Sequence, residues 1–205
     1  TYTANAAGYN QKKEEVKPIV QREEKFGISN RYFRFASANS PHVSKRQKGG
    51  EDAWVATDRL LVVADGVGGW ASRGIDSGRF SKQLVRDIQE IFEKNNANEL
   101  RQVLVDAVAA NKEIGSSTCV LAKFDTSREN FLKTTNLGDS GYLLLRPNGD
   151  GTFETLYRTK EQQYSFNFPY QCGTGAEPPY NADDQEHEVQ DNDIIVMASD
   201  GVFDN

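Results

Sequence analysis

The sequence is poor in the residues that usually announce soft-metal or redox chemistry. Its 205 residues include two cysteines, Cys119 and Cys172, and two histidines, His42 and His187. The cysteines lie far apart with no Cys-x-x-Cys spacing, which argues against a disulfide framework or a thiolate zinc site and fits a reducing compartment. Both read as ordinary thiols, Cys119 inside an apolar strand. Neither histidine falls in a motif, so both are expected at the surface. No apolar run approaches the ~18 residues that would span a bilayer. No basic stripe is present, and a net charge of −6 argues against a nucleic-acid binder. The twelve-residue loop of an EF-hand is missing too, which disfavours a calcium-binding regulatory module. The chain opens on Thr1, so a targeting peptide is expected to have been removed or to lie outside this sequence.

What is present suffices for one sizeable core. A 37% hydrophobic and 10% aromatic content suggests a single domain with an extension. Residues 1–29 are polar and charge-mixed, with the run Lys12-Lys13-Glu14-Glu15. They are expected to stay flexible or to pack along a partner, and so to be the part that joins a larger assembly. Residues 30–205 form the expected domain. Tyr32–Ala36 offers strand-forming residues, and a basic loop, Lys45–Gly50, leads into Glu51-Asp52.

Arg59–Ala64 is a short apolar run, read as a buried strand that stops at the glycine-rich Asp65-Gly66-Val67-Gly68-Gly69. Phe80, Leu84, Val85, Ile88, Ile91 and Phe92 then follow at three- and four-residue steps, one apolar stripe of a helix. Leu100, Val103, Leu104, Ala107 and Val108 repeat the pattern after a break at Asn95–Asn98. From Ser117 the period shortens. Thr118–Phe124, Phe131–Leu137, Tyr142–Arg146 and Phe153–Tyr157 read as strands, a polar loop runs through Asp184, and Asp193–Ala198 gives one more buried strand. The fold class is α+β, an antiparallel β-sandwich flanked by helices.

Three of these strands end in an acidic turn, at Asp65-Gly66, Asp139 and Asp200-Gly201. An aspartate at a strand end projects its oxygens from the sheet edge, and a following glycine lets carbonyls and waters approach. Convergence of several such ends would make an all-oxygen site suited to Mg²⁺ or Mn²⁺ rather than zinc. Clustered carboxylates need a cation between them to offset their repulsion. Two such ions about 4 Å apart activate water and clamp a phosphoryl group, so phosphate-ester hydrolysis is the natural chemistry.

Five segments then stand in a telling order: Gly50-Glu51-Asp52-Ala53, Val63–Trp70, Gly115-Ser116-Ser117-Thr118, Asn136–Gly141 and Ser199–Asn205. Together they resemble the motif series of type-2C metal-dependent protein serine/threonine phosphatases over residues 31–205. Val67 and the segment Glu161–Gln171 are most similar to the mitochondrial branch. The resemblance implies hydrolysis of phosphoserine and phosphothreonine in protein substrates by a hydroxide bridging two metals, without a phosphoenzyme. Asp65 would bridge both ions with the Gly66 carbonyl on one, and Asp200 would ligate the other, so catalysis would rest on these two aspartates. Glu51 and Asp52 would hold metal-bound waters, and Asp139 and Asp204 would serve a weaker third ion. It also implies a basic residue for the substrate phosphate just before the Glu-Asp pair; Arg46 and Lys48 are both candidates, and spacing does not choose between them. Many members carry a leaving-group histidine at the position of Val67, which the mitochondrial branch replaces with valine. The family continues beyond the equivalent of Asn205 with helices, a closing strand and one more metal-binding aspartate. A catalytically weak or inactive phosphatase-like subunit in a larger assembly is the alternative. Placement follows the branch, mitochondrial matrix, with the cytoplasm as second choice. The alternating aromatics Tyr164, Phe166, Phe168 and Tyr170 read as a sheet-packing or flap segment.

Overall fold

A computed structural model describes residues 31–204 apart from Glu177; the extension expected over 1–29 lies outside the described residues. In chain order the strands are β1 (Asp52–Ala56), β2 (Leu60–Asp65), β3 (Ser116–Ser117), β4 (Cys119–Phe124), β5 (Phe131–Leu137) and β6 (Gly141–Pro147). They continue with β7 (Phe153–Arg158), β8 (Gln163–Ser165), β9 (Phe168–Pro169), β10 (Cys172–Gly173), β11 (Asp183–Glu188) and β12 (Ile194–Ala198). Helices α1 (Ser77–Lys94) and α2 (Leu100–Ala110) form the expected pair, and a single turn, α3 (Asp200–Phe203), follows β12.

Two antiparallel sheets dominate, one of five strands ordered β1-β2-β4-β5-β11 and one of three ordered β12-β6-β7. Strand alternation sorts the side chains into two layers. Leu60, Val62 and Ala64 of β2, with Cys119 and Leu121 of β4, face the helices and meet Phe80, Leu84, Ile88, Val103 and Leu104. Ala122, Leu132 and Leu144 fill the space between the sheets, with Leu61, Phe124, Ile195 and Met197 packed against them. The expected sandwich with helices on one face is therefore the observed fold. Ile88 is completely buried in the helix layer. Ile88→Ala should cost about 2–5 kcal/mol, which a thermal melt would read as a fall of roughly 5–15 °C in Tm.

Buried Lys123 fastens the helix pair to the sheet. Its ammonium donates to the carbonyls of Asn96 (2.8 Å) and Asn98 (2.6 Å) in the α1–α2 connection, and burial lowers its pKa.

Four local expectations need correction. β12, read as a buried strand, leaves Ile194 and Val196 exposed and buries only Ala198. Tyr32–Ala36 forms no strand; Phe33 stacks on Phe124 at 4.5 Å and its N–H reaches only the Asp58 carbonyl. Strand-forming side chains were present there, but no neighbouring backbone pairs with them among the described residues. The polar loop read through Asp184 ends earlier, because residues 183–188 form β11 and pair with β5 from Asp183↔Asn136 to Glu188↔Phe131. An edge strand with one face toward solvent carries too few apolar residues to announce itself. His187 on that strand is not a surface residue. Its Nε2 lies 2.7 Å from the buried Tyr142 hydroxyl, which also meets Thr134 Oγ1 at 2.8 Å, and Tyr157 packs on both rings. Burial lowers the His187 pKa, favouring the neutral ring.

Candidate metal centre

The first two carboxylates are placed by strand register. Asp52 opens β1, Asp65 closes β2, and the two residues are direct cross-strand partners. Partners in a ladder share a face. Leu61 lies on the Asp65 side of β2 and packs between the sheets, so both aspartates stand at the mouth of the sandwich. Like charges directly opposite are destabilising in a sheet, and only a proton or a cation relieves them.

The second sheet supplies the rest. Asp139 lies between β5 and β6, and Asp200 follows β12, whose Ala198 pairs with Gly141 at the start of β6. The connection at Asp139 is tightly held. Gly138 sits at φ 102°, and a side chain there would meet Thr118 Cγ2 and the Tyr170 carbonyl at 2.6 Å each. Its N–H donates to Gln162 Oε1 and its carbonyl accepts from the Gln162 N–H, both at 3.0 Å. Gln163 Nε2 lies 3.4 Å from Asp139 Oδ2.

Asp65 is braced from behind. The Thr118 N–H and the Ser117 hydroxyl donate to its carbonyl at 2.9 and 2.8 Å, and its own N–H reaches Thr118 Oγ1 at 3.3 Å. Gly66 is needed for close approach, because a Cβ would lie 2.7 Å from the Ser77 carbonyl oxygen.

The electrostatics are those of negative charges forced together. Burial, then the charges of Asp52 and Asp200, push the Asp65 carboxyl up to about 9. Burial and Asp200, with Glu161 and Asp204 contributing, raise Asp139 to about 6. Asp52 is raised mainly by burial, although hydrogen bonds from Asp65 and Ser199 hold it down in part. Asp52, Asp65, Asp139 and Asp200 thus feel one another, with Asp204 exposed at the margin.

These oxygens suit a hard divalent cation by their chemistry. Among the described residues no group of three carboxylates, histidines or cysteines is already set in a metal-holding arrangement. Asp52 and Asp200 instead stand close enough to Asp65 for their charges to raise its pKa.

The cation nearest this group is one that sequence spacing did not single out. Lys45 forms an ion pair with Glu51, and Asp65 and Asp52 also favour its charge; the Glu51 hydrogen bond is the main cause of its raised pKa. Arg46 turns its Nε to the Pro41 carbonyl at 3.4 Å, and the side chains of Arg46 and Lys48 are exposed. A 3-10 helix over Val43–Lys48, capped by His42, carries this run; Lys45 is half-buried against Glu51, whereas Arg46, Gln47 and Lys48 are exposed. Val67 precedes a second such turn, Gly68–Arg73. Its Trp70 indole donates to Ser116 Oγ at 2.6 Å, and Ser116 passes the chain on to Gln171 Oε1 at 2.6 Å. The aromatic segment folds into the small β8–β9 hairpin, where Tyr164 packs on Phe168 and Tyr170 while Phe166 stands 97% exposed.

Residues 56–205 match the family described as Stage II sporulation protein E (SpoIIE). A probable protein phosphatase 2C 71 from Oryza sativa subsp. japonica is 41% identical over 169 residues, covering 80% of this chain and 35% of that protein. The PTC7 homolog fig of Drosophila mojavensis, a protein phosphatase, is 36% identical over 184 residues, covering 80% of this chain and 57% of that protein. The chain thus spans between about a third and somewhat over half of these relatives. Among solved structures, the photosystem II phosphatase PBCP superposes with a TM-score of 0.73 at 30% identity, over 81% of this chain and 65% of its own. The catalytic domain of the phosphatase PstP, solved with two manganese ions, shares the fold with a TM-score of 0.55 at 20% identity, over 85% of this chain and 77% of its own.

Proposed function

The chain belongs to the PP2C-type protein phosphatase family, and on that premise we propose that it takes part in metal-dependent hydrolysis of phosphoserine and phosphothreonine in proteins. The observation that carries the proposal is the cross-strand pair Asp52–Asp65 facing Asp139 and Asp200, with Lys45 as a nearby cation. Asp65 and Asp200 would hold two Mg²⁺ or Mn²⁺ ions, with the Gly66 carbonyl and with Glu51 and Asp52 through water. Asp139 and Asp204 would serve a third. Bound there, such ions supply activated water and neutralise phosphoryl charge.

The chain's own residues do the remaining work. Lys45 is our choice for the substrate phosphate over Arg46 and Lys48, because it alone of the three points at the carboxylates. It is held in reserve by Glu51 until a phosphate competes for it. Val67 carries no proton, so the departing serine or threonine oxygen takes its proton from water or from another acid in the mouth. Ser117 and Thr118 fix the Asp65 backbone so that its carboxylate does not follow the substrate.

The test is phosphate release from p-nitrophenyl phosphate and a phosphoserine peptide by the full-length protein, with and without millimolar Mn²⁺. Turnover that needs the ion is expected, and none under any divalent condition would overturn the reading. A phosphatase-shaped subunit without turnover is the second reading. It is favoured by the absence, among the described residues, of a group of three carboxylates, histidines or cysteines already set to hold a metal. Placement in the mitochondrial matrix is proposed from the likeness of Val67 and Glu161–Gln171 to that branch. No described helix is long and apolar enough to cross a membrane.

A further inference from the structure

A groove of about 310 Å³ runs from the acidic mouth along the outer edge of β1, and apart from Asp52 the proposed reaction uses none of its lining. Gly49 and Asp52 close its inner end, Trp54 lies along it, and Lys82, Arg86 and Gln89 of α1 line its wall. β1 is the terminal strand of the five-stranded sheet, and among the described residues no strand pairs with its outer edge. Trp54 is 41% exposed there, an uncommon position for so large an apolar side chain. Arg86 is exposed and makes no ion pair among the described residues.

We propose that this groove docks the substrate chain beside its phosphoresidue, as an extended segment added to β1 with acidic side chains on Lys82 and Arg86. The proposal rests on the phosphatase reading above. An unpaired strand edge offers alternating backbone donors and acceptors, the usual basis of strand addition. Charge selects the occupant: the chain is acidic overall, yet this wall presents two cations one helical turn apart.

The spacing fits the same occupant. Four helix residues rise about 6 Å, close to the roughly 6.6–6.8 Å covered by two strand residues. Lys82 and Arg86 would therefore meet alternate side chains of one strand face. Lys82 is fixed at the inner end, where its ammonium donates to the carbonyls of Lys48 (3.1 Å) and Gly50 (3.0 Å). Arg86 and Gln89 mark the outer end. Every pairing in the five-stranded sheet is antiparallel, and β1 runs outward from Asp52. An added antiparallel strand would run inward, so the groove takes residues on the N-terminal side of the phosphoserine.

Fluorescent phosphoserine peptides provide the test. They carry glutamate, serine or lysine at alternate positions on the N-terminal side, with a matched set altered on the C-terminal side. Fluorescence anisotropy with the full-length protein in a chelator reads binding without turnover. N-terminal glutamates are expected to tighten binding. Arg86→Glu, an exposed change that circular dichroism can show to be folded, should weaken the glutamate peptide by about tenfold and reverse its preference over the lysine peptide. Equal binding of all peptides, or a preference confined to C-terminal glutamates, overturns the proposal. So does a tenfold gain in peptide affinity on deleting residues 1–30, which would make that segment the occupant. Self-association abolished by Arg86→Glu without any peptide effect would assign the groove to a second copy and overturn it as well. Hydrolysis of p-nitrophenyl phosphate is scored separately: its absence removes the reaction, whereas unselective binding removes the groove.

Discussion

Asp65→Asn should raise the stability of the metal-free protein while it destroys turnover. The Asp65 carboxyl sits at about 9 in the fold, against about 3.9 in an unfolded chain. The folded state therefore holds an extra proton between those values. Its contribution to stability is full below about pH 4 and is lost as pH rises through about 9. Asp139, raised to about 6, acts with the same sign over a narrower window. Melts of the wild-type protein in a chelator should show Tm falling as pH climbs from 4 toward 9. Asparagine cannot ionise, so the variant should follow a flatter curve and melt several degrees higher near neutrality. Divalent ion should restore the wild-type protein, since a ligand at 100 times its Kd adds about 2.7 kcal/mol, and the variant should gain less. Phosphatase turnover should fall by about two to three orders of magnitude, the scale for loss of one preorganised electrostatic element. A variant with the wild-type pH slope, or with undiminished hydrolysis, would remove Asp65 from the centre.

The second large effect concerns Lys45. Truncating it to methionine keeps most of the apolar stem and removes the one cation of the 45–48 run that pairs with a carboxylate of the mouth. A charge-assisted hydrogen bond is worth about 1.5–3 kcal/mol, so KM for a phosphoserine peptide should rise about 10- to 100-fold while kcat changes less. Arg46→Ala and Lys48→Ala should stay within about twofold, as exposed charges usually do. The Glu51 hydrogen bond and the nearby carboxylates keep the Lys45 pKa above its ordinary value, so its charge persists through the neutral range. Its removal should then change affinity without adding a new limb to the pH profile. A large KM effect at Arg46 with none at Lys45 would reverse the assignment.

These two residues differ in how visible they were. Asp65, Asp139 and Asp200 were legible because apolar strands ended on them, and the strand period together with a following turn dictates where such a side chain goes. The helix pair was equally plain, since Phe80 to Phe92 repeats a helical step and Asn95–Asn98 interrupts it. Lys45 was hidden because its direction depends on a 3-10 helix, which turns Arg46 away by about 120°, and on its ion pair with Glu51, which Lys48 on the same helical face does not make. In a run of four basic and polar residues, spacing alone cannot say which one faces in. β11 was hidden for the opposite reason. Its residues Asp183 to Glu188 owe their conformation to the ladder with β5 and to His187 closing on Tyr142, and neither partner is local.

The ladder between β1 and β2 also governs how this centre can change over time. Because Asp52 and Asp65 are register partners, their separation is a property of the sheet and not of either side chain. Loops around them can lengthen, shorten or exchange residues without altering that distance. An inserted or deleted residue within either strand would instead turn one carboxylate into the helix-facing core. Lineages descended from this chain should therefore vary freely at the turns yet keep the lengths of these two strands fixed, and libraries aimed at new substrates are best confined to the turns.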